Sequence, residues 1–262
     1  MTALRSGGVS RILRQPRGAC YPRRCPFCNR VLGTVRRCPD CIEPLEVLRR
    51  KPTMRLRNGA HYLGRLTGAA APFRYEGCVR RAVLRAKYAA APWTASELGV
   101  EMAELLFGSE VRMDGFEPVP EPVPGLDRSF DAVVPVPASN KLRGYNVPER
   151  MARPIARAVG VPLDPKALAR ARTTPRQEEL SMEERLVNVA GAFGVPDPER
   201  IEGKRLLLVD DVITTGATVT ACAQALLDAG AESVFAVALV AVEFDAPPER
   251  TTGIAENSEE EI

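Results

Sequence analysis

The chain has 262 residues, 45% of them apolar, with 36 basic against 33 acidic side chains and a formal net charge of +3. That length supports one large core, or a core and a small module, and the near-balance of charge excludes a strongly basic protein. The longest apolar run, residues 234–242, is far too short to cross a bilayer, so no membrane span is expected. The first residues carry arginines with no apolar stretch behind them, so no secretory signal is expected either. Seven cysteines in such a chain point to thiols or metal ligands in a reducing, cytoplasmic compartment rather than to disulfides.

Residues 1–20 read as a flexible N-terminus. Residues 21–45 form a cysteine module, and residues 46–68 a basic connector. Arginines concentrate between Arg5 and Arg57. A basic stretch of this kind could face nucleic acid, or could be an ordinary solvated surface. Residues 72–107 follow a mostly helical period, with Val79, Ala82, Val83 and Ala86 on one face. Thr94 and Glu97 make a capping-box pair before a second helical run. The stretch EPVPEPVPG, residues 117–125, reads as a proline-rich insertion.

Residues 130–136 give a strand signal. A helix is expected over 148–159, capped by Asn146, with Pro148 in its first turn and Pro154 kinking or shortening it. Residues 164–180 form a charged excursion, and Ser181 with Glu184 gives another capping box. Residues 206–209 read as a strand, 218–229 as a helix closed by Gly230, and 233–242 as a strand. Strands alternating with helices predict a parallel sheet of the α/β class over residues 46–242. The acidic residues 243–262 read as a disordered tail.

Two constellations carry chemistry. Cys25 and Cys28 form one CxxC, Cys38 and Cys41 a second. Paired CxxC turns present four thiolates to one ion, which suits a closed, structural zinc site. A redox CxxC, unpaired buried thiols or an iron–sulfur cluster are the alternatives, and Cys20 is a substitute ligand. Cys78 and Cys222 lie on apolar helical faces and read as core.

The second constellation is LLLVDDVITTGAT, residues 206–218. A strand ends at Asp210 and Asp211, and a small-residue loop feeds a helix. The N–H groups from Thr214 to Thr218 and the helix dipole favour an anion, Gly216 allows close approach, and the threonine hydroxyls add donors. Two acids beside a phosphate cradle suit the hydroxyls of a sugar diol, with Mg2+ nearby, held directly or through water.

This stretch resembles the signature of the type I phosphoribosyltransferases. The resemblance implies that Asp210 and Asp211 contact the ribose hydroxyls of phosphoribosyl pyrophosphate and are the catalytic acids. It gives Thr214, Thr215, Gly216, Ala217 and Thr218 the 5-phosphate. VVPVPASNKLRGYN, residues 133–146, is by the same resemblance the pyrophosphate loop, with Lys141 and Arg143 as its cations.

The later run RTTPRQEELSMEERLVNVAGAF, with Arg172, Gln177, Arg185 and Asn188, is similar to a pattern of the ComF family. So are the "PVP…RGYN" loop and the N-terminal four-cysteine module. The ComF resemblance implies a competence-associated, phosphoribosyltransferase-like protein. Its flexible loop would carry those four residues over the site, and its role would lie in uptake of transforming DNA. Two classes of function stand on this basis. One is a phosphoribosyltransferase of unidentified acceptor. The other is a non-catalytic protein that senses phosphoribosyl pyrophosphate or binds single-stranded DNA through the arginines around the cysteines.

Two positions depart from the family pattern: Val147 stands where a glutamine is common, and AKYAAAPW, residues 86–93, lacks a glycine after its Lys-aromatic pair. The second departure leaves Lys87 outside the expected site. The one histidine, His61, reads as a surface residue of the connector.

Overall fold

The computed structural model describes residues 22–57, 61–89, 91–138, 143–171 and 191–242. The expectations for Cys20, Lys141, the Ser181–Glu184 cap, Arg172, Gln177, Arg185, Asn188 and both chain ends lie outside them.

Five strands build a parallel sheet, two of them nine residues long. In chain order the elements are α1 (Pro39–Leu48), β1 (Gly68–Ala70), β2 (Phe73–Arg74), α2 (Gly77–Tyr88) and α3 (Pro92–Phe107). They continue with β3 (Val111–Asp114), β4 (Glu117–Pro120), β5 (Ala132–Pro135), α4 (Val147–Val159), β6 (Ala169–Arg170) and β7 (Phe193–Gly194). The last are β8 (Arg205–Ile213), α5 (Ala217–Asp228) and β9 (Ser233–Ala241). The sheet order is β1-β9-β8-β5, with β2 also beside β9, and all these pairings are parallel.

A parallel sheet needs cover on both faces, and its central strands read as continuous apolar runs because both sets of side chains are buried. Strand β8 shows this. Leu207 and Val209 enter one core with α2, α3 and α4, whereas Leu206 and Leu208 enter a second core under α5. Strand β9 alternates in the same way, with Val237 and Leu239 on the first side and Val234, Ala236 and Ala238 on the second.

Helices α3 and α4 pack backbone to backbone. A side chain at Gly99 would lie 2.3 Å from the carbonyl oxygen of Met151. Helix α4 runs through Pro154 to Val159 without breaking. The expected shortening does not occur, because the helix is held by burial of Met151, Ile155 and Val159. Asn146 stands at the N-cap, but its side chain donates to the carbonyl of Val136 at 2.9 Å instead of capping. It thereby ties the helix start to the end of the β5 segment.

Other local expectations change for physical reasons. Helix α3 begins at Pro92, two residues before the proposed cap, so Thr94 lies inside it. Glu97 pairs with Arg23 instead. The stretch EPVP is strand β4, in antiparallel register with β3; proline is tolerated there because the ribbon is a pair of edges. His61 is buried, and its Nε2 lies 2.9 Å from the carbonyl of Val242. No helix among the described residues is long and apolar enough to cross a membrane.

Candidate functional site

Strand β8 does not stop at the acids. It extends to Ile213, and Asp210 pairs in register with Ala238. Both aspartates are therefore rigid and buried, at 7% and 6% exposure. Successive side chains of a strand point to opposite faces. Asp211 follows Leu207 and Val209 toward the α2 side, where its Oδ1 lies 3.0 Å from Nζ of Lys87. Asp210 follows Leu206 and Leu208 toward α5, and the charges it feels include Arg170 as well as Lys87. Its Oδ1 accepts the Asp211 backbone N–H at 2.8 Å. Burial, then the neighbouring Asp211, push the Asp210 carboxyl up to about 7. The pair thus holds more negative potential than its cations cancel, a property that suits hydroxyl donors or a hard divalent cation.

The turn after β8 is shaped by one residue. Gly216 has φ of 88° and caps α5. A side chain there would lie 2.2 Å from the carbonyl oxygen of Tyr62. The segment around Tyr62 braces the loop from outside. The Tyr62 N–H donates to the carbonyl of Thr215 at 2.7 Å, and the Thr220 hydroxyl donates to the Tyr62 carbonyl at 2.8 Å. Thr215 is buried, whereas Thr214 and Thr218 are half-buried. Together Asp210, Ile213, Thr214, Gly216 and Thr218 line a cleft of about 170 Å³. The first-turn N–H groups of a helix have no intrahelical acceptor, so the start of α5 presents donors and the positive end of its dipole here.

Of the other expected residues, Arg143 is described. Its guanidinium sits 5.9 Å from the ring centre of Tyr88, and its Nε is buried without a hydrogen-bond partner. Tyr145 donates its hydroxyl to the carbonyl of Ala86 at 2.7 Å. The end of α2 therefore touches both the acid strand, through Lys87, and the Arg143 loop, through Ala86 and Tyr88.

Lys87 is the residue that the sequence argument left out. Burial works against its charge, but Asp211 and then Asp210 outweigh it and hold the ammonium above its ordinary range. A signal was present in the helical period. Lys87 is four residues after Val83 and one after Ala86, both on the buried stripe. A lysine on an apolar stripe needs an acid partner.

The four cysteines form the second site. The Sγ atoms of Cys25, Cys28, Cys38 and Cys41 all lie within 4.8 Å of one another. Cys25 to Cys41 is 3.7 Å and Cys28 to Cys38 is 3.6 Å. Tetrahedral zinc–sulfur bonds place sulfurs about 3.8 Å apart, so the set fits the ion. Burial pushes the Cys25 thiol up to about 11 and Cys41 higher still. Such thiols ionise together only when a cation joins them. Cys78 and Cys222 are buried, as their apolar faces predict. A cleft of about 540 Å³ lies beside the cysteines, walled by Phe27, Leu32, Leu45, Phe73 and Leu105 and edged by Arg23, Arg36, Arg37 and Arg49.

The arginines of the module are committed. Arg23 forms a two-pronged pair with Glu97 at 2.6 and 2.8 Å, with both side chains almost buried. Arg36 reaches Glu101 at 2.8 Å and Glu104 at 2.6 Å, and Arg37 reaches Glu104 at 2.8 Å. Arg30 pairs with Asp40. Much of the basic stretch clamps the module to α3.

Comparison with known proteins finds relatives of this chain. Residues 128–254 match the model of the phosphoribosyl transferase domain. Over 107 residues the chain is 36% identical to the DNA utilization protein YhgH of Escherichia coli strain K12, a match spanning 40% of this chain and 46% of that protein. The same figures hold for YhgH of Salmonella typhimurium. Over 108 residues it is 31% identical to Competence protein F of Haemophilus influenzae, spanning 40% of this chain and 47% of that one. The chain thus spans less than half the length of the curated relatives it matches. The likeness to the ComF family, the phosphoribosyltransferase-type parallel sheet and the N-terminal four-cysteine cluster are borne out.

Proposed function

We propose that this chain binds phosphoribosyl pyrophosphate with Mg2+ at the end of β8, as a ComF-like phosphoribosyltransferase serving the use of incoming DNA in the cytoplasm. The observation that carries the reading is the join of two buried, adjacent carboxylates to a glycine-capped helix start within one rigid turn. Asp210 and Asp211 take the ribose hydroxyls, and the turn from Thr214 to Thr218 takes the 5-phosphate. Arg143 and Lys141 take the pyrophosphate. In the reaction an acceptor lone pair bonds to ribose C1 as the bond to pyrophosphate breaks. The loop cations meet the charge that accumulates on the leaving group. Mg2+, when bound, neutralises pyrophosphate; the oxygen-rich acid pair fits a hard cation. Arg172, Gln177, Arg185 and Asn188 would close over the reacting sugar and keep water from it.

The acceptor supplies its own reactivity in this reading. The sole histidine is buried with Nε2 against a carbonyl, so it is not a base for the site. Calorimetric titration of phosphoribosyl pyrophosphate and Mg2+ into wild type and into the Asp210→Ala, Asp211→Ala double variant tests the site. Saturable binding in wild type, lost in the variant, is the expected result. No binding in wild type would sink the reading.

One observation bears on the second reading, a single-stranded DNA binder. The arginines at Arg23, Arg36 and Arg37 hold the module to α3. A DNA surface on the module therefore has to use its outward side chains, such as Arg24 and, in exchange for its exposed partner Asp40, Arg30. Salt-dependent binding of an oligonucleotide, weakened when these two are neutralised, would support this reading.

A further inference from the structure

We propose that Lys87 is a positioning residue that orients Asp211 and thereby makes the site select a ribose diol over its deoxy analogues. The inference rests on the reading of Asp210 and Asp211 as the diol-binding pair.

Asp211 is held on its backbone side by the central strand, and on its carboxylate side by Lys87 at 3.0 Å. An aspartate inside a packed strand can still turn its carboxylate about its last torsion, and a single fixed cation removes that freedom. Lys87 is itself held. Helix α2 lies in the first core through Val79, Ala82, Val83 and Ala86, all fully buried. The Tyr145 hydroxyl pins the carbonyl of Ala86, next in the chain. The lysine side chain is 26% exposed, so it reaches the site from the protein side rather than from solvent. Asp210 has a different environment, facing α5 and Arg170. The two acids thus point to opposite faces of the strand, as reading two distinct hydroxyls requires, and the ammonium in direct contact with Asp211 also lends its charge to Asp210.

A carboxylate aimed at a hydroxyl discriminates against the analogue lacking it, because the acid is then left buried without its donor. If Lys87 aims Asp211, removing Lys87 should abolish discrimination more than it abolishes binding. The phosphate cradle is untouched by the change.

The test measures dissociation constants of phosphoribosyl pyrophosphate, ribose 5-phosphate, 2-deoxyribose 5-phosphate and 3-deoxyribose 5-phosphate for wild type, Lys87→Met and Lys87→Arg. Wild type should prefer ribose 5-phosphate over each deoxy analogue by at least about tenfold, the worth of one charged hydrogen bond. In Lys87→Met at least one of these two preferences should fall to about one to twofold, while binding of the deoxy analogues stays within about threefold of wild type. Lys87→Arg should restore most of the lost preference. A ratio of constants within one protein does not depend on the fraction folded. If Lys87→Met does not fold, Lys87→Gln is read by the same ratios.

Both preferences surviving in Lys87→Met would overturn the proposal and leave the site assignment standing. So would equal weakening of all three sugars. Weakening of phosphoribosyl pyrophosphate alone would also overturn it, by moving Lys87 to the pyrophosphate. Wild type binding phosphoribosyl pyrophosphate without preferring ribose 5-phosphate would overturn the proposal alone, and wild type binding none of the four would remove the site assignment with it.

Discussion

At Gly216 the backbone turns at φ 88° with the carbonyl of Tyr62 against it. An L side chain there meets both a strained torsion and a clash with main chain that cannot rotate away. Gly216→Ala should cost about 2–4 kcal/mol of stability, read by urea unfolding, and weaken phosphate binding with it. Asp210 carries the opposite tension. Its carboxyl stands near 7 in the folded chain against an ordinary 3.8. Between those values the folded state holds a proton that the unfolded state has released, so stability falls as pH rises through that window. Asp210→Asn never ionises. It should match wild type near pH 4 and exceed it by roughly 2–4 kcal/mol at pH 8 in denaturant titrations, while losing ligand.

The elements show how much the sequence could say. Strands β8 and β9 were legible because unbroken apolar runs between turn residues mean burial on both faces. Helix α2 was legible from its period. The end of β8 was misjudged, since two aspartates look like a strand terminus until pairing with β9 carries them through. Thr94 and Glu97 fit a local capping rule, yet Pro92 began the helix earlier and Arg23, distant in sequence, claimed the glutamate. The role of the arginines was hidden for the same reason, because an ion pair with a far helix leaves no local spacing. Arg143 and the acid turn were found from motif alone; Lys87 required knowing which helix faces β8.

Helix α3 yields its own test. Arg23→Ala would strand Glu97, whose burial already raises its carboxyl against the pull of Arg23. A loss of about 3–5 kcal/mol is expected by thermal or urea unfolding, and Arg23→Leu with Glu97→Leu should recover most of it.

On the scale of the whole molecule, the metal module and the sheet are one packed body. Phe27 of the module meets Phe73 of β2 edge to face at 6.1 Å, and Arg85 of α2 donates to the carbonyl of Pro26 at 2.7 Å. Metal analysis of protein purified without chelator should find about one zinc per chain. Cys38→Ser should lose it and lower the unfolding midpoint by about 5 °C or more, because module and first core share one hydrophobic surface.

The strand order β1-β9-β8-β5 places the last-made strand between the first and the rest. β1 finds its parallel partner in β9, roughly 165 residues later in the chain. At translation rates of about 5–20 residues per second, β1 and β2 wait on the order of ten to thirty seconds for β9 to be made. During that interval Phe73 and the apolar face of α2 lack their strand neighbours, whereas every ligand of the cysteine cluster already exists. Metal capture by the nascent module can thus precede the sheet and shelter Phe27 and Phe73 until the closing strand slides into the middle.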